Sequence, residues 1–183
     1  HLLAPWSAEP INNLVGALLQ KERIAEAEPY ARLAFEFDDG RARAYVNMGL
    51  IHAHYGRVDD AIHAQREAIR LEPTSARAYN NLGADLMTKG ETEKALRAFE
   101  QAVRNDPRHA IARRNFGLAL RNAGYLHDAL QQVITSEYIQ ANDPLTSEAL
   151  ASIYAMLGRY PEAIQAIQLT FSLTPGRTGF LAP

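Results

Sequence analysis

The sequence predicts an all-α protein built as an array of antiparallel helix pairs, and three observations predict it. A 34-residue pattern recurs five times in register without an insertion, glycines return at two fixed sites of the pattern, and prolines follow at a third. Self-similarity with a period of roughly 20–50 residues marks a stacked repeat architecture, because one such unit cannot bury its apolar face alone.

The three middle copies are the clearest: ARAYVNMGLIHAHYGRVDDAIHAQREAIRLEPTS from Ala42, ARAYNNLGADLMTKGETEKALRAFEQAVRNDPRH from Ala76 and AIARRNFGLALRNAGYLHDALQQVITSEYIQAND from Ala110. Weaker copies start at Ala8 and Pro144. The repeats 8–41, 42–75, 76–109, 110–143 and 144–177 then form one domain, between an N-terminal segment, 1–7, and a C-terminal tail, 178–183.

The first helix of each repeat, A, ends at position fifteen, where Gly56, Gly90, Gly124 and Gly158 suit a tight helix-closing turn. Position eight of helix A holds Gly49, Gly83 and Gly117. A mid-helix glycine costs roughly 1 kcal/mol against alanine, so its recurrence at one site implies a neighbouring helix too close for a larger side chain. The second helix, B, supplies that neighbour. Its position twenty is alanine in every repeat (Ala27, Ala61, Ala95, Ala129, Ala163), and its position twenty-seven is Ala34, Ala68, Ala102, Ser136 or Thr170. Helix B closes ahead of Pro73, Pro107 and Pro175, since proline forces the preceding residue out of helical geometry. Pro161 suits the start of the last helix B. Pro29 is expected near the first turn of the first one, where a missing amide is tolerated.

Aromatic at four, leucine at seven, glycine at eight, alanine at twenty, aromatic at twenty-four, alanine at twenty-seven and proline at thirty-two complete the pattern. The third repeat carries it as Tyr79, Leu82, Gly83, Ala95, Phe99, Ala102 and Pro107. Over nearly the whole chain this resembles the tetratricopeptide repeat (TPR) family. The departures lie toward the ends: Val15, Glu22 and Asp39 in the first repeat, Arg113 and Ala141 in the fourth, Ser147 and Ala151 in the last. The resemblance implies a right-handed superhelical solenoid whose A helices line a concave groove, and a non-enzymatic scaffold or adaptor role in protein binding.

On helix A, positions two, five, six, nine, twelve and thirteen share one face, because residues three, four and seven apart line up. Position six gives a ladder, Asn13, Asn47, Asn81 and Asn115, and an asparagine amide can both donate to and accept from an extended peptide backbone. The ladder resembles the one in the TPR array of O-linked N-acetylglucosamine transferase. The competing role for the same amides is to satisfy local polar groups. Around the ladder stand Arg43, Arg77, Arg114 and Arg121, together with Asn80, Leu50, Met87 and Leu118, while Glu9 and Glu148 lie only near the ends. Arginines fork onto carboxylates, so the expected partner is a protein or peptide with an acidic segment or a free C-terminus. A clamp for chaperone C-termini would need lysine at five and asparagine at nine of its first repeat, and no repeat has either.

Composition narrows the function classes. A 183-residue chain with 47% hydrophobic and 22% charged residues is ordinary for a globular protein, and the absence of cysteine removes disulfides, zinc-thiolate sites and thiol catalysis. A net charge of −2 argues against nucleic-acid binding, and the sequence has no apolar run of about 18 residues for a membrane span. Phosphate loops, nucleophile elbows and paired carboxylates do not stand out, so no enzyme activity and no cofactor are expected. His52 and His54 are two apart, whereas a helical metal pair needs four. The DDG stretch at 38–40 lacks the alternating oxygen ligands of a calcium loop and reads as a turn.

The ends leave three arrangements for the last helix B, whose Ile164, Ile167, Phe171 and Leu173 need cover. The GFLAP tail folds back over them, a second copy of the chain covers them, or the native chain continues. Trp6 is the candidate cover for the first repeat. The alternatives to a free-standing adaptor are therefore the TPR portion of a larger protein, such as a glycosyltransferase or a bacterial secretion or pilus assembly factor, and a homo-oligomer joined through its ends. A cytoplasmic location is expected, or a periplasmic one if a signal was removed.

Overall fold

The structure is a computed structural model that describes residues 8–37 and 41–174, and every regular element among them is helical. Trp6, the 38–40 turn with Asp39, Pro175 and the 178–183 tail lie outside the described residues. The helices come in pairs. They are α1 (Ala8–Gln20) with α2 (Ile24–Leu33), which runs on into a 3₁₀ turn at Ala34–Glu36, then α3 (Arg41–His54) with α4 (Val58–Leu71) and α5 (Ala76–Thr88) with α6 (Thr92–Asn105). After them come α7 (Ala110–Asn122) with α8 (Leu126–Ile139) and α9 (Pro144–Met156) with α10 (Tyr160–Leu173). Within each compact region the helix pairs stack on their neighbours, the all-α architecture that the 34-residue period predicts.

The chain divides into two compact units, His1–Asn105 and Asp106–Pro183. In the first, Val15, Leu18, Ile24, Ala27, Ala31, Met48 and Ile51 form one apolar cluster that joins α1 and α2 to α3. Val46, Ala68 and Ala78 do the same between α3, α4 and α5, with Tyr45 and Ile69 packed against them. In the second unit, Ala129, Val133, Ala149 and Ile153 are buried on α8 and α9, which pack together. Fully burying one such aliphatic side chain is worth about 1.5–3 kcal/mol, so each pair is held mainly by its neighbours.

The position-eight glycines meet the helix that the sequence places opposite them. A Cβ at Gly49 would stand 2.1 Å from Gln65 Nε2, one at Gly83 2.7 Å from the Phe99 ring, and one at Gly117 2.4 Å from Val133 Cγ2 and 3.0 Å from the Ala129 carbonyl. Gln65, Phe99 and Val133 all occupy position twenty-four, so each glycine is the notch that its partner fills. The first repeat reverses the sizes: Val15 stands at eight and Ala31 at twenty-four, both fully buried in one cluster. What looks like a departure in the sequence is a volume exchange across the same contact.

Helix A ends the same way in all five pairs. Gly56, Gly90, Gly124 and Gly158 have φ of 71, 82, 89 and 73°. The amide of Gly56 donates to the Ala53 carbonyl at 3.0 Å and that of Arg57 to His52 at 2.9 Å, and the other turns repeat this. Glu22 adopts the same geometry at φ 57°, with Arg23 donating to the Leu18 carbonyl at 2.9 Å. The turn is thus imposed by the pairing of the helices, and glycine only removes its strain.

Helix B ends differ from expectation in two places. Pro29 stands in the second turn of α2 rather than the first. The helix continues because proline's fixed φ is helical and the Ala25 carbonyl it leaves unbonded belongs to an exposed residue. In the fourth repeat Ala141 replaces the proline, yet Gln140 has φ −134° and ψ 89°, nearly those of Glu72 before Pro73. There Asn142 at φ 62° donates its amide to the Glu137 carboxylate at 3.2 Å and closes the helix instead.

A left-handed residue with a side chain carries a penalty of about 1–2 kcal/mol, so Glu22→Gly should raise the urea midpoint by the equivalent of about 1 kcal/mol. Gly117→Ala should lower it by about 1–3 kcal/mol, since the added methyl meets the Ala129 backbone carbonyl as well as Val133.

Candidate functional site

In the first compact unit the asparagine ladder is not uniform. Asn13 on α1 is exposed and its Oδ1 accepts from Arg43 Nη1 of α3 at 3.2 Å. Asn47 is fully buried, contrary to an open groove position, and its Nδ2 donates to Asn12 Oδ1 at 3.1 Å. Asn81 is half-buried and its Oδ1 accepts from Asn80 Nδ2 at 3.2 Å. Asn80, a surface residue by spacing, is itself buried, as are Asn12 and Val46 at the same position five. Position five therefore turns toward the interior in these three repeats. Leu50 and Met87 are half-buried.

Arg43 and Arg77 lie near each other on α3 and α5, and neither has a carboxylate partner among the described residues. Arg77 reaches solvent, yet enough protein surrounds it that burial, and then the like charge of Arg43, lowers its pKa below the ordinary arginine value. Two cations held together in this way favour an incoming anion.

In the second compact unit, four of the expected positions come together. Arg114, Asn115, Leu118 and Arg121 of α7 line a cavity of about 420 Å³ with Leu145, Glu148 and Ala149 of α9. Its two arginines are already engaged. Arg114 forms a short ion pair with Asp143, and Arg121 Nη1 donates to Ser152 Oγ at 2.8 Å and its Nη2 to Asn122 Oδ1 at 2.9 Å. Burial pushes the Asp143 carboxyl up, but the hydrogen bond from Thr146 and the charge and hydrogen bond of Arg114 outweigh it and hold the group below the usual carboxylate range. Sequence reasoning missed Asp143, although its place just ahead of Pro144, one helix on from Arg114, was a usable signal.

Among the described residues no group of three His, Cys, Asp or Glu side chains could hold a metal ion, and no helix is long and apolar enough to cross a membrane.

Two family models of the tetratricopeptide repeat match residues 40–108 and 80–145, and together they span more than half of the 183-residue chain. A comparison with curated proteins finds no match. Among solved structures, Pseudomonas aeruginosa PilF is similar at 21% identity and a TM-score of 0.79, with 90% of this chain and 75% of that one covered. TTC0263, a thermophilic TPR protein of Thermus thermophilus, is similar at 20% identity and 0.79, with 93% of each covered. YrrB, a TPR protein described as having an unusual peptide-binding site, is similar at 22% identity and 0.65, with 93% of this chain and 88% of that one covered. At such identities the likeness is one of fold.

The contrast within the ladder gives a direct check. Asn47→Ala should lower stability by about 1–3 kcal/mol, because it strips a partner from buried Asn12. Asn13→Ala should stay within about 0.5 kcal/mol, as exposed substitutions do. Urea melts of the two variants measure both, and equal small effects would show that Asn47 has no structural part.

Proposed function

Because the chain belongs to the tetratricopeptide repeat family, we propose that it is a non-enzymatic scaffold that holds an extended segment of a partner protein against the faces of its A helices. The observation that carries this reading is the cavity between α7 and α9, where positions five, six, nine and twelve of one A helix and two, five and six of the next converge. Its lining mixes an amide and charged groups with Leu118, Leu145 and Ala149, which suits a peptide with alternating polar and apolar side chains. A concave wall of this kind is the usual binding surface of a stacked-repeat protein. The peptide-binding site described for YrrB supports the same reading by analogy of fold.

The partner segment carries carboxylates. In the first compact unit Arg43 and Arg77 offer guanidinium groups with no acid opposite them among the described residues, and a carboxylate there would relieve their mutual repulsion. Asn81 serves the backbone of a segment held in the first unit and Asn115 that of one held in the α7–α9 cavity, while Asn47, being sealed, serves the fold.

Fluorescence anisotropy with labelled extended peptides tests the assignment. Acidic peptides should bind more tightly than charge-neutral ones of the same length, and raising salt should weaken them, since exposed charges are screened over about 8–10 Å near physiological ionic strength. Arg43→Ala with Arg77→Ala should weaken acidic peptides by about tenfold, which corresponds to about 1.4 kcal/mol. Asn81→Ala with Asn115→Ala should weaken acidic and neutral peptides alike, by more than the loss of about 1 kcal/mol in stability expected from stripping buried Asn80 of its Asn81 partner. Affinity unchanged in both double variants would remove the site from the A-helix faces.

A further inference from the structure

Between the second and third helix pairs, apolar burial is interrupted at three equivalent positions. Where the first pair meets α3, positions eleven and twenty-four of one repeat and position ten of the next are Leu18, Ala31 and Ile51, members of one apolar cluster. In the second compact unit the same three positions are Leu120, Val133 and Ile153, all buried. Where α3 and α4 meet α5, they are His52, Gln65 and Asp85. Gln65 is fully buried, Asp85 is 8% exposed and His52 is half-buried. Each has a buried atom that meets no hydrogen-bond partner among the described residues: His52 Nδ1, Gln65 Oε1 and Asp85 Oδ2. The other end of Gln65 is fixed, because Nε2 donates to the Val46 carbonyl at 3.4 Å and lies in the notch of Gly49.

We propose that His52, Gln65 and Asp85 form a buried polar cluster that keeps a proton on the Asp85 carboxyl, and that loss of this proton loosens the packing of the third helix pair on the second. The chemistry of the three groups requires it. Gln65 Oε1, an unprotonated His52 Nδ1 and an ionised Asp85 can each only accept, so with Asp85 ionised this layer buries three acceptors and, among the described residues, no donor for any of them. A neutral carboxyl brings an O–H donor and no charge into the layer, which costs less to bury than the carboxylate.

The charges around the cluster favour the neutral form. Burial raises the Asp85 pKa to about 7, with no contribution from a charged group on α3, α4 or α6 among the described residues. Burial and then Arg57 lower the His52 pKa, against Asp60 on α4 and Glu28 on α2, which raise it, while Arg32 lowers it further. His52 thus does not provide the cation that would hold Asp85 ionised. Lys89, one turn beyond Asp85, is engaged at the surface with Asp59 of α4 and with Glu91, which also pairs with Lys94 of α6.

The sign follows from linkage. Asp85 binds its proton more tightly folded than unfolded, where its pKa is about 3.9, so its stabilisation is complete below that value and is lost as pH rises through about 7. His52 has the opposite sign, with stability lost as pH falls below the ordinary histidine range. Above pH 6.5, then, Asp85 dominates, and from pH 6.5 to 8.5 the unfolding equilibrium constant should rise about fourfold.

Urea unfolding of the full chain, followed by circular dichroism across that range, tests the cluster independently of the peptide-binding reading. Wild type should show the fourfold rise. Asp85→Asn, which keeps a donor and cannot ionise, should be flat, as should a triple variant, His52→Leu, Gln65→Val and Asp85→Ile, that imports residues found at these positions in other repeats. Carboxyl carbon NMR of the wild type should show Asp85 titrating near pH 7, a readout that needs no variant. A carboxyl titrating near 4, or the same pH dependence in wild type and Asp85→Asn, would overturn the proposal.

Discussion

The close approach of helix B to helix A at position eight is the constraint on which the rest of the fold depends. Gly49, Gly83 and Gly117 let the side chains of Gln65, Phe99 and Val133 reach into helix A, and Val15 with Ala31 keeps the contact filled with the bulk on the other side. Interiors are packed to near-crystalline density, so the sum of the two volumes matters more than which helix carries it. Once that distance is set, position twenty must be small, and it is alanine throughout. The left-handed turn at fifteen then becomes the shortest way back, which is why even Glu22 adopts it.

The fold was legible because this constraint is written in residue types with few substitutes. Glycine in a notch, glycine in a left-handed turn and proline after a helix each answer one local question, and each recurs at the same interval. Where another solution exists, the sequence signal faded while the structure did not change: Val15 for Gly at eight, and Asn142 with Glu137 for proline after α8. The depth of Pro29 in α2 was not legible, because the carbonyl it leaves unbonded belongs to an exposed residue and so sets no boundary on where the helix begins.

The candidate site was legible only in part. Spacing alone grouped Arg114, Asn115, Leu118 and Arg121, and these line one cavity. Spacing could not tell which amide is spent on a neighbour. Asn47 is sealed because Asn12, on the preceding A helix, is there to bond it, and Asn13 stays open because its contact is to an exposed arginine. Likewise Arg114 is neutralised by Asp143 from the end of its own repeat, whereas Arg77 has Arg43 nearby and no carboxylate partner among the described residues. The fate of Asn13, Asn47 and Arg114 is decided by residues 29 to 35 positions away in sequence, which a single-helix reading does not weigh.

The same dependence links binding to packing. His52 and Asp85 sit on α3 and α5, the helices that also carry Arg43 and Arg77 on their outer faces. The layer that these helices share is apolar at Val46, Ala68 and Ala78 and polar at His52, Gln65 and Asp85, where apolar side chains would have held more firmly. An anionic segment that engages both guanidinium groups requires α3 and α5 to be stacked. It binds the stacked form in preference to the loosened one and by mass action stabilises it. On the proposed reading, the stacking of α3 and α5 is the quantity that proton loss from Asp85 weakens and an anionic segment strengthens.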